Sequence, residues 1–128
     1  MNNFGIGIDI ESIYRFRRLS KDELFLHRVF TQRELNYCFS HKSPAPHLAA
    51  RFAAKEAVIK ALSALKRKSP GYKDIEVVND PDGTPAIHIT KHGFEGLSTS
   101  LSLSHSTSQA VALAVIVEQV PPLTPGST

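Results

Sequence analysis

The chain lacks several features that would define a disulfide-rich, zinc-binding or membrane-spanning protein. Cys38 is the only cysteine among 128 residues, so no disulfide can form within the chain, and no Cys/His spacing typical of a zinc site occurs. The longest uninterrupted apolar run covers residues 110–117, whereas a membrane helix needs about 20 residues. Residues 1–5 have neither the positive nor the apolar segment of a secretory signal, so the cytoplasm is the expected compartment.

The residues that are present have the composition of an ordinary globular protein. Hydrophobic residues make up 41% and charged residues 21% of a chain whose length suits a single domain. We expect this domain to cover residues 1–120, followed by a Pro-rich, disordered tail at 121–128. The net charge of +3 favours an acidic partner or a phosphorylated substrate, but it is too small to indicate nucleic-acid binding by itself.

The hydrophobic pattern predicts an α+β fold in which a mainly antiparallel sheet packs against a long helix and shorter helices. The predicted strands and helices do not alternate regularly, which argues against a parallel βαβ arrangement. Thr31 and Glu34 form a capping-box pattern at the start of a short helix. The last strand, rich in alanine and valine, is expected to be buried on both faces. The predicted strands cover 4–11, 72–79, 84–90, 100–105 and 109–120, and the predicted helices cover 12–30 with a break near Ser20, 31–38 and 48–65.

The first predicted strand alternates between two different faces. One face is apolar and is expected to be half buried, while the other carries two glycines and an acid. Glycines beside an acid allow another group to approach the backbone closely. Asp9 lies near the end of this strand, where it is either the cap of a turn or helix, or a ligand. The apolar face comprises Phe4, Ile6, Ile8 and Ile10, and the other face comprises Gly5, Gly7 and Asp9.

Glu56 falls within an apolar arc of the predicted long helix when residues are placed at 100° intervals. It is either an acid satisfied in the core or the partner of Lys60, four residues later, in a surface pair. Alternatively, Asp9 and Glu56 together suit one hard cation such as Mg²⁺, which binds through one or two carboxylates, waters and substrate phosphates. Arg51, Lys55 and Lys60 would then lie near the phosphates, although such cations are also typical of a solvated helix face.

Other residues that could carry chemistry fit less specific patterns. His105 ends a predicted strand, where a lone histidine is more often a hydrogen-bonded core or edge residue than a catalyst. A serine hydrolase is disfavoured because the chain has no Gly-x-Ser-x-Gly segment. Gly5 and Gly7 do not form a P-loop or a dinucleotide-binding fingerprint. Cys38 is interpreted as a packing residue of the short helix.

Several segments occur in the order, and with the residues, of one enzyme family. They are Gly-Ile-Gly-Ile-Asp-Ile at 5–10, Phe-Thr-x-x-Glu at 30–34, Ala-Arg-Phe-Ala-Ala-Lys-Glu-Ala-Val-Ile-Lys-Ala at 50–61, Asp-Ile-Glu-Val at 74–77 with Gly83-x-Pro85, and Leu-Ser-Leu-Ser-His at 101–105 before an Ala/Val-rich strand ending at Glu118. On these motifs the chain resembles the holo-[acyl-carrier-protein] synthase family, the small type of 4′-phosphopantetheinyl transferase. It departs from the family at Ala50, where glycine is usual, and at 63–68, which replaces a glycine-containing loop.

The resemblance implies a Mg²⁺-dependent transfer of the 4′-phosphopantetheine arm of coenzyme A to a serine of apo acyl carrier protein, with 3′,5′-ADP as the other product. It implies a homotrimer with the site between subunits, and no nucleic-acid or membrane partner. By motif, the resemblance implies that Asp9 and Glu56 bind the metal and that Lys55 and Lys60 contact the phosphates. It implies that Arg51 and His105 lie near the nucleotide end of coenzyme A and that Arg15 contacts the carrier protein. The catalytic residues that it implies are Asp9, Glu56 and Lys60.

Two alternatives from other functional classes stay open at this point. The chain could be a non-catalytic nucleotide-binding or carrier-protein-docking module. It could also be a small basic nucleic-acid binder, for which the basic segment 66–68 is a weak indication because no stacking aromatics accompany it.

Overall fold

The computed structural model of the protein describes residues 3–119 and has the α+β architecture that the sequence predicts. The predicted helical segment 12–30 is broken into two short helices, as expected. The tail at 121–128 lies outside the described residues. In chain order the elements are β1 (Asn3–Ser12), α1 (Ile13–Arg17), α2 (Leu24–Val29), α3 (Gln32–Phe39), α4 (Ala45–Ala64), a 3₁₀ turn (Tyr72–Asp74), β2 (Ile75–Asn79), β3 (Pro85–Ile89), β4 (Leu97–His105) and β5 (Gln109–Glu118).

The strands form two separate antiparallel sheets. The larger sheet has the order β1-β5-β4, so that the N-terminal strand pairs with the last described strand along its whole length. The smaller sheet is the β2–β3 hairpin, closed by the predicted turn at 80–83. Helix α4 lies across the larger sheet and also contacts β2, so one long helix joins the two sheets.

Helix α4 is the central element of the core. It begins at Ala45 rather than at the predicted position 48 because Pro46 lies in its first turn, where a missing N–H costs no hydrogen bond. Its residues are buried on nearly all sides, as expected of a helix surrounded by other elements.

None of the helices in residues 3–119 is long and apolar enough to cross a membrane.

Strand β1 faces the opposite way from the prediction. Its apolar side chains point away from the helix and are 53–63% exposed, while the glycine face packs on α4. The reason is steric. A Cβ atom on Gly5 would run into the carbonyl oxygen of Ala61, and one on Gly7 into that of Ala57. The two glycines therefore allow backbone-to-backbone contact between strand and helix, which no larger residue would permit.

Strand β5 is buried on one face only, and this also differs from the prediction. Ala110, Ala112, Ala114 and Ile116 pack against the helix side of the sheet, while Leu113 on the other side is 39% exposed. The register places the exposed residues of β1, β5 and β4 side by side. We call this surface the outer sheet face. It comprises Phe4, Ile6, Ile8, Ile10, Val111, Leu113, Val115 and Val117, with Ser98, Ser100, Ser102 and Ser104 at its β4 edge.

The contact between β1 and α4 can be tested at Gly7. We expect Gly7→Ala to lower the free energy of unfolding by about 3 kcal/mol, because the added methyl group meets the helix backbone rather than a movable side chain. Gly96→Ala is the matched control, since no atom lies within 4 Å of a Cβ at that position. Denaturant unfolding of the three proteins measures the difference, and equal stabilities would contradict the close contact.

Candidate active site

Asp9 faces helix α4 and shares an ion pair with Lys60. The Lys60 ammonium donates to Asp9 Oδ1 at 3.1 Å and to the carbonyl oxygen of Ile8 at 2.9 Å. The Asp9 side chain is only 12% exposed, and its Oδ2 is buried with no hydrogen-bond partner among the described residues. A buried carboxylate oxygen without a donor is costly unless a ligand satisfies it.

Glu56 lies one helical turn before Lys60 but does not pair with it. Its Oε1 accepts a hydrogen bond of 2.5 Å from the Tyr72 hydroxyl. This bond, together with burial, raises the pKa of Tyr72 to about 12. The Glu56–Lys60 surface pair considered from the sequence is therefore absent from this part of the structure. Lys60 points toward β1, whereas Glu56 points toward the 3₁₀ segment that contains Tyr72.

Glu11 is a third acid in this region, and the sequence analysis missed it. Its side chain is 14% exposed and lies 3.4 Å from the Arg15 guanidinium. Burial, the neighbouring Asp9 carboxyl and the charge of Glu56 together raise the pKa of Glu11 to about 7, with Arg15 opposing them. Because both predicted metal ligands act on Glu11, the three carboxylates share one neighbourhood. The available signal was the spacing of two residues, which puts Glu11 on the same strand face as Asp9.

The residues present fit a divalent hard cation that is completed by its substrate. No group of three or more His, Cys, Asp or Glu side chains within residues 3–119 is arranged to hold a metal by itself. Mg²⁺ commonly binds through one or two carboxylates and takes its remaining ligands from phosphates and water. Asp9 Oδ2, which lacks a donor, and Glu56 supply carboxylate oxygens of this kind.

Lys55 occupies a different place from the one that the resemblance implies. Its side chain is fully buried, and its ammonium donates to Glu34 Oε1 at 2.8 Å, to the carbonyl oxygen of Tyr72 at 2.8 Å and to that of Ile75 at 2.6 Å. An ammonium group has three protons, and all three are used. In this structure Lys55 is thus a structural residue with no proton left for a phosphate.

Glu34, the partner of Lys55, joins three elements. The predicted capping box is present, with the Thr31 N–H donating to Glu34 Oε1 at 2.8 Å. The Val77 N–H donates to the other carboxylate oxygen at 2.8 Å. Glu34 therefore ties the start of α3 to β2 and, through Lys55, to α4.

The role of Lys55 can be tested through stability. We expect Lys55→Met to destabilise the fold by about 3–5 kcal/mol, because it leaves the Glu34 carboxylate buried without its counter-charge. Lys60→Met is the matched control and should cost less than about 1 kcal/mol, since the Lys60 side chain is 52% exposed. Thermal and denaturant unfolding give both values. Normal stability of the Lys55 variant would contradict this structural role.

Arg51 and His105 meet at a second location. Both line a cavity of about 170 Å³, together with Tyr37, His47 and Asn79. The Arg51 guanidinium lies 3.8 Å from the centre of the Tyr37 ring, and its Nη2 donates to Asn79 Oδ1 at 3.4 Å. Arg51 Nε is buried and unpartnered among residues 3–119. Nine residues along α4 separate Arg51 from Lys60, so the two side chains leave opposite sides of the helix about 13 Å apart along its axis.

Arg15 lies on α1 beside the carboxylates. Besides Glu11, its guanidinium contacts the rings of Phe25 and Phe52, 5.0 and 5.3 Å from their centres. Its side chain is half exposed. Arg15 is therefore anchored at the edge of the acidic site while its outer part is accessible.

Comparisons with known proteins agree with this geometry. The sequence model of the 4′-phosphopantetheinyl transferase superfamily matches residues 5–116. The chain belongs to this superfamily.

Relatives and solved structures of the superfamily cover most of the chain. Holo-[acyl-carrier-protein] synthase of Thermodesulfovibrio yellowstonii is 47% identical over 114 residues, which are 88% of this chain and 96% of the relative. The apo-ACPS structure from Chronobacterium ammoniagenes matches with a TM-score of 0.79 and 28% identity, over 94% of this chain and all of that one. The ACPS–CoA complex from the same organism matches with a TM-score of 0.77 and 30% identity, over 92% and 99% of the two chains. The resemblance seen in the sequence motifs is confirmed.

The predicted site residues of this phosphopantetheinyl transferase form two groups rather than one. Asp9, Glu56 and Lys60 lie together between β1 and α4, with Arg15 at their edge. Arg51 and His105 line the separate cavity. Lys55 belongs to neither group, and the sequence did not indicate Tyr72, which holds Glu56.

Proposed function

We propose that the chain transfers the 4′-phosphopantetheine arm of coenzyme A to a serine of apo acyl carrier protein and releases 3′,5′-ADP. The observation that carries the proposal is the buried, unpartnered Asp9 Oδ2 beside Glu56 and the Lys60 ammonium, in a member of this superfamily. The related holo-[acyl-carrier-protein] synthases and the solved ACPS–CoA complex support the substrate assignment. We place the activity in the cytoplasm, as expected from the sequence.

The proposed reaction requires charge to be neutralised on a pyrophosphate. The serine hydroxyl oxygen attacks the phosphorus nearest the pantetheine and releases its proton to water. The bond from that phosphorus to the bridging oxygen breaks, so that this oxygen leaves with 3′,5′-ADP. Mg²⁺ held by Asp9 and Glu56 would supply positive charge against the pyrophosphate oxygens. Asp9 holds the Lys60 ammonium in place, and Lys60 offsets charge on the departing phosphate.

The hydrogen bond to Glu56 contributes orientation. The Tyr72 hydroxyl donates to one carboxylate oxygen of Glu56, which fixes the rotamer of the side chain. The Tyr72 ring also packs 5.8 Å from that of Phe52. Tyr72 is therefore a positioning residue in the proposed site.

The cation site can be tested by two conservative substitutions. We expect Asp9→Asn and Glu56→Gln each to lower the rate of transfer by about 100-fold or more and to weaken its dependence on Mg²⁺ concentration, because each removes a charged ligand of similar shape. Mass spectrometry of apo acyl carrier protein, incubated with coenzyme A over a series of Mg²⁺ concentrations, measures both effects.

Glu95→Gln is the control for this test, since Glu95 is an exposed acid whose side chain, within residues 3–119, bonds only to the neighbouring His92 and Gly93. Folded Asp9 or Glu56 variants that transfer at the wild-type rate would contradict the cation site. A wild-type protein that binds coenzyme A but never modifies a carrier would favour the non-catalytic alternative.

The contact with the carrier protein is assigned to Arg15 and the surface around it. Acyl carrier proteins are acidic, and a basic surface steers such partners toward it. Arg15, Arg17 and Arg18 all lie on or next to α1, with Arg15 anchored beside Glu11. This arrangement would bring the carrier serine to the edge of the acidic site.

The proposed assembly is a homotrimer with the active site between subunits. Two observations support a second copy at the site: the outer sheet face is apolar and exposed, and Arg51 and His105 lie away from Asp9, Glu56 and Lys60. Contact through the outer sheet face would cover apolar side chains that are rarely left open to water in a patch of this kind. It would also allow the nucleotide cavity of one copy to meet the carboxylates of another.

The assembly can be tested on the outer sheet face. We expect Ile8→Asp to convert trimers to monomers, because it places a charge in the middle of the apolar patch, and to abolish transfer activity with it. Leu24→Asp is the matched control, since Leu24 is 61% exposed on α2, outside this face. Light scattering after size-exclusion chromatography gives the mass. A wild-type monomer with full activity would contradict the assembly.

A further inference from the structure

Two histidines that no sequence motif singled out stack beside the nucleotide cavity. The rings of His41 and His47 are nearly parallel, with their centres 3.7 Å apart. His41 Nδ1 lies 2.8 Å from the Tyr37 carbonyl oxygen, which only accepts, so this nitrogen carries the hydrogen. His47, in the first turn of α4, lines the cavity with Arg51 and His105.

The surroundings of His47 disfavour its charged form. Burial lowers the pKa of His47, and repulsion from its neighbours His41, Arg51 and His105 lowers it further. Tyr37, the other titratable group against the pair, packs edge-on to both rings. Two imidazolium ions at the stacking distance would also repel each other. His47 is therefore neutral at pH 7 and can accept a proton.

The cavity has the features of an anion site. Arg51 is only 4% exposed, and its Nε has no partner in the described part of the chain. A buried guanidinium with an unused donor suits phosphate, which accepts from several nitrogens at once. A phosphate dianion in the cavity would reverse the local field, so that an imidazolium beside it is stabilised instead of repelled.

We propose that the His41–His47 pair takes up one proton when a phosphate monoester enters this cavity, and that binding of coenzyme A through its 3′-phosphate is therefore coupled to pH. This inference rests on the proposed function, in which the cavity receives the nucleotide end. The proton comes from solvent and no bond to the ligand forms. By linkage, uptake of one proton lowers the affinity by up to about tenfold for each unit rise in pH, over the range in which the free pair lacks the proton and the bound pair holds it.

Calorimetry of the full chain can test this coupling. Titration of coenzyme A in two buffers with different heats of ionisation, repeated between pH 7 and 8.5, gives the number of protons bound per site. We expect close to one proton with coenzyme A and nearly none with dephospho-coenzyme A, which lacks the 3′-phosphate. The double variant His41→Phe, His47→Phe keeps two aromatic rings in the stack and should lose the proton uptake and most of the pH dependence.

Controls separate the pair from other histidines. His88→Phe alters an exposed histidine on β3 and should leave proton uptake unchanged. His47→Gln is a second variant for the case in which the double variant does not fold, and it should lose at least half of the uptake. Undiminished uptake in either pair variant, or uptake that is lost only in His105→Gln, overturns the proposal.

The ligand comparison separates this inference from the proposed function. Equal uptake with dephospho-coenzyme A, or binding of coenzyme A without any uptake, overturns the inference and leaves the proposed transfer intact. A wild-type chain that does not bind coenzyme A overturns the proposed function and the inference with it.

Discussion

The contact between the glycine face of β1 and helix α4 determines the arrangement of the rest of the structure. Gly5 and Gly7 allow the strand backbone to lie directly on the helix backbone, and Asp9, the next residue on that face, is carried to the same helix surface. There it meets Lys60 and shares a neighbourhood with Glu56. The same contact turns the large apolar side chains of β1 outward, so it determines both the position of the candidate catalytic groups and the candidate assembly surface.

The rotation of α4 about its axis is fixed from its other side. Lys55 reaches into the core to Glu34 and to two backbone carbonyls, and this buried cluster ties the helix to α3 and β2. Because residues 55 and 56 are adjacent, holding Lys55 in the interior sets the direction of Glu56 as well. A buried pair of this kind gives little net stability, but an arrangement that separated the two groups would leave each charge buried and unpaired.

The elements that the sequence predicted well are those with strong local signals. The capping box at Thr31 and Glu34, the long helix and the turn before Gly83 all occur as expected, because their signals depend on neighbouring residues. The orientation of β1 could not be read from alternation alone. Alternation distinguishes two faces, but the assumption that the apolar face is the inner one fails when glycine permits unusually close packing. Glu11 was not singled out and the buried contacts of Lys55 were not anticipated, since strand and helix spacing give direction without burial.

The spacing of the β1–α4 contact has a further consequence for the acidic site. Two residues of strand advance about 6.8 Å and four residues of helix about 6 Å, so the strand and the helix repeat their contacts at nearly the same spacing, at Gly5–Ala61 and again at Gly7–Ala57. A two-residue shift of β1 along α4 would therefore drive the Asp9 side chain into the helix backbone. Asp9, Glu11 and Glu56 are thus held near one another by core packing, against their mutual repulsion. A divalent cation bound there would offset this repulsion between carboxylates that the core packing already keeps close.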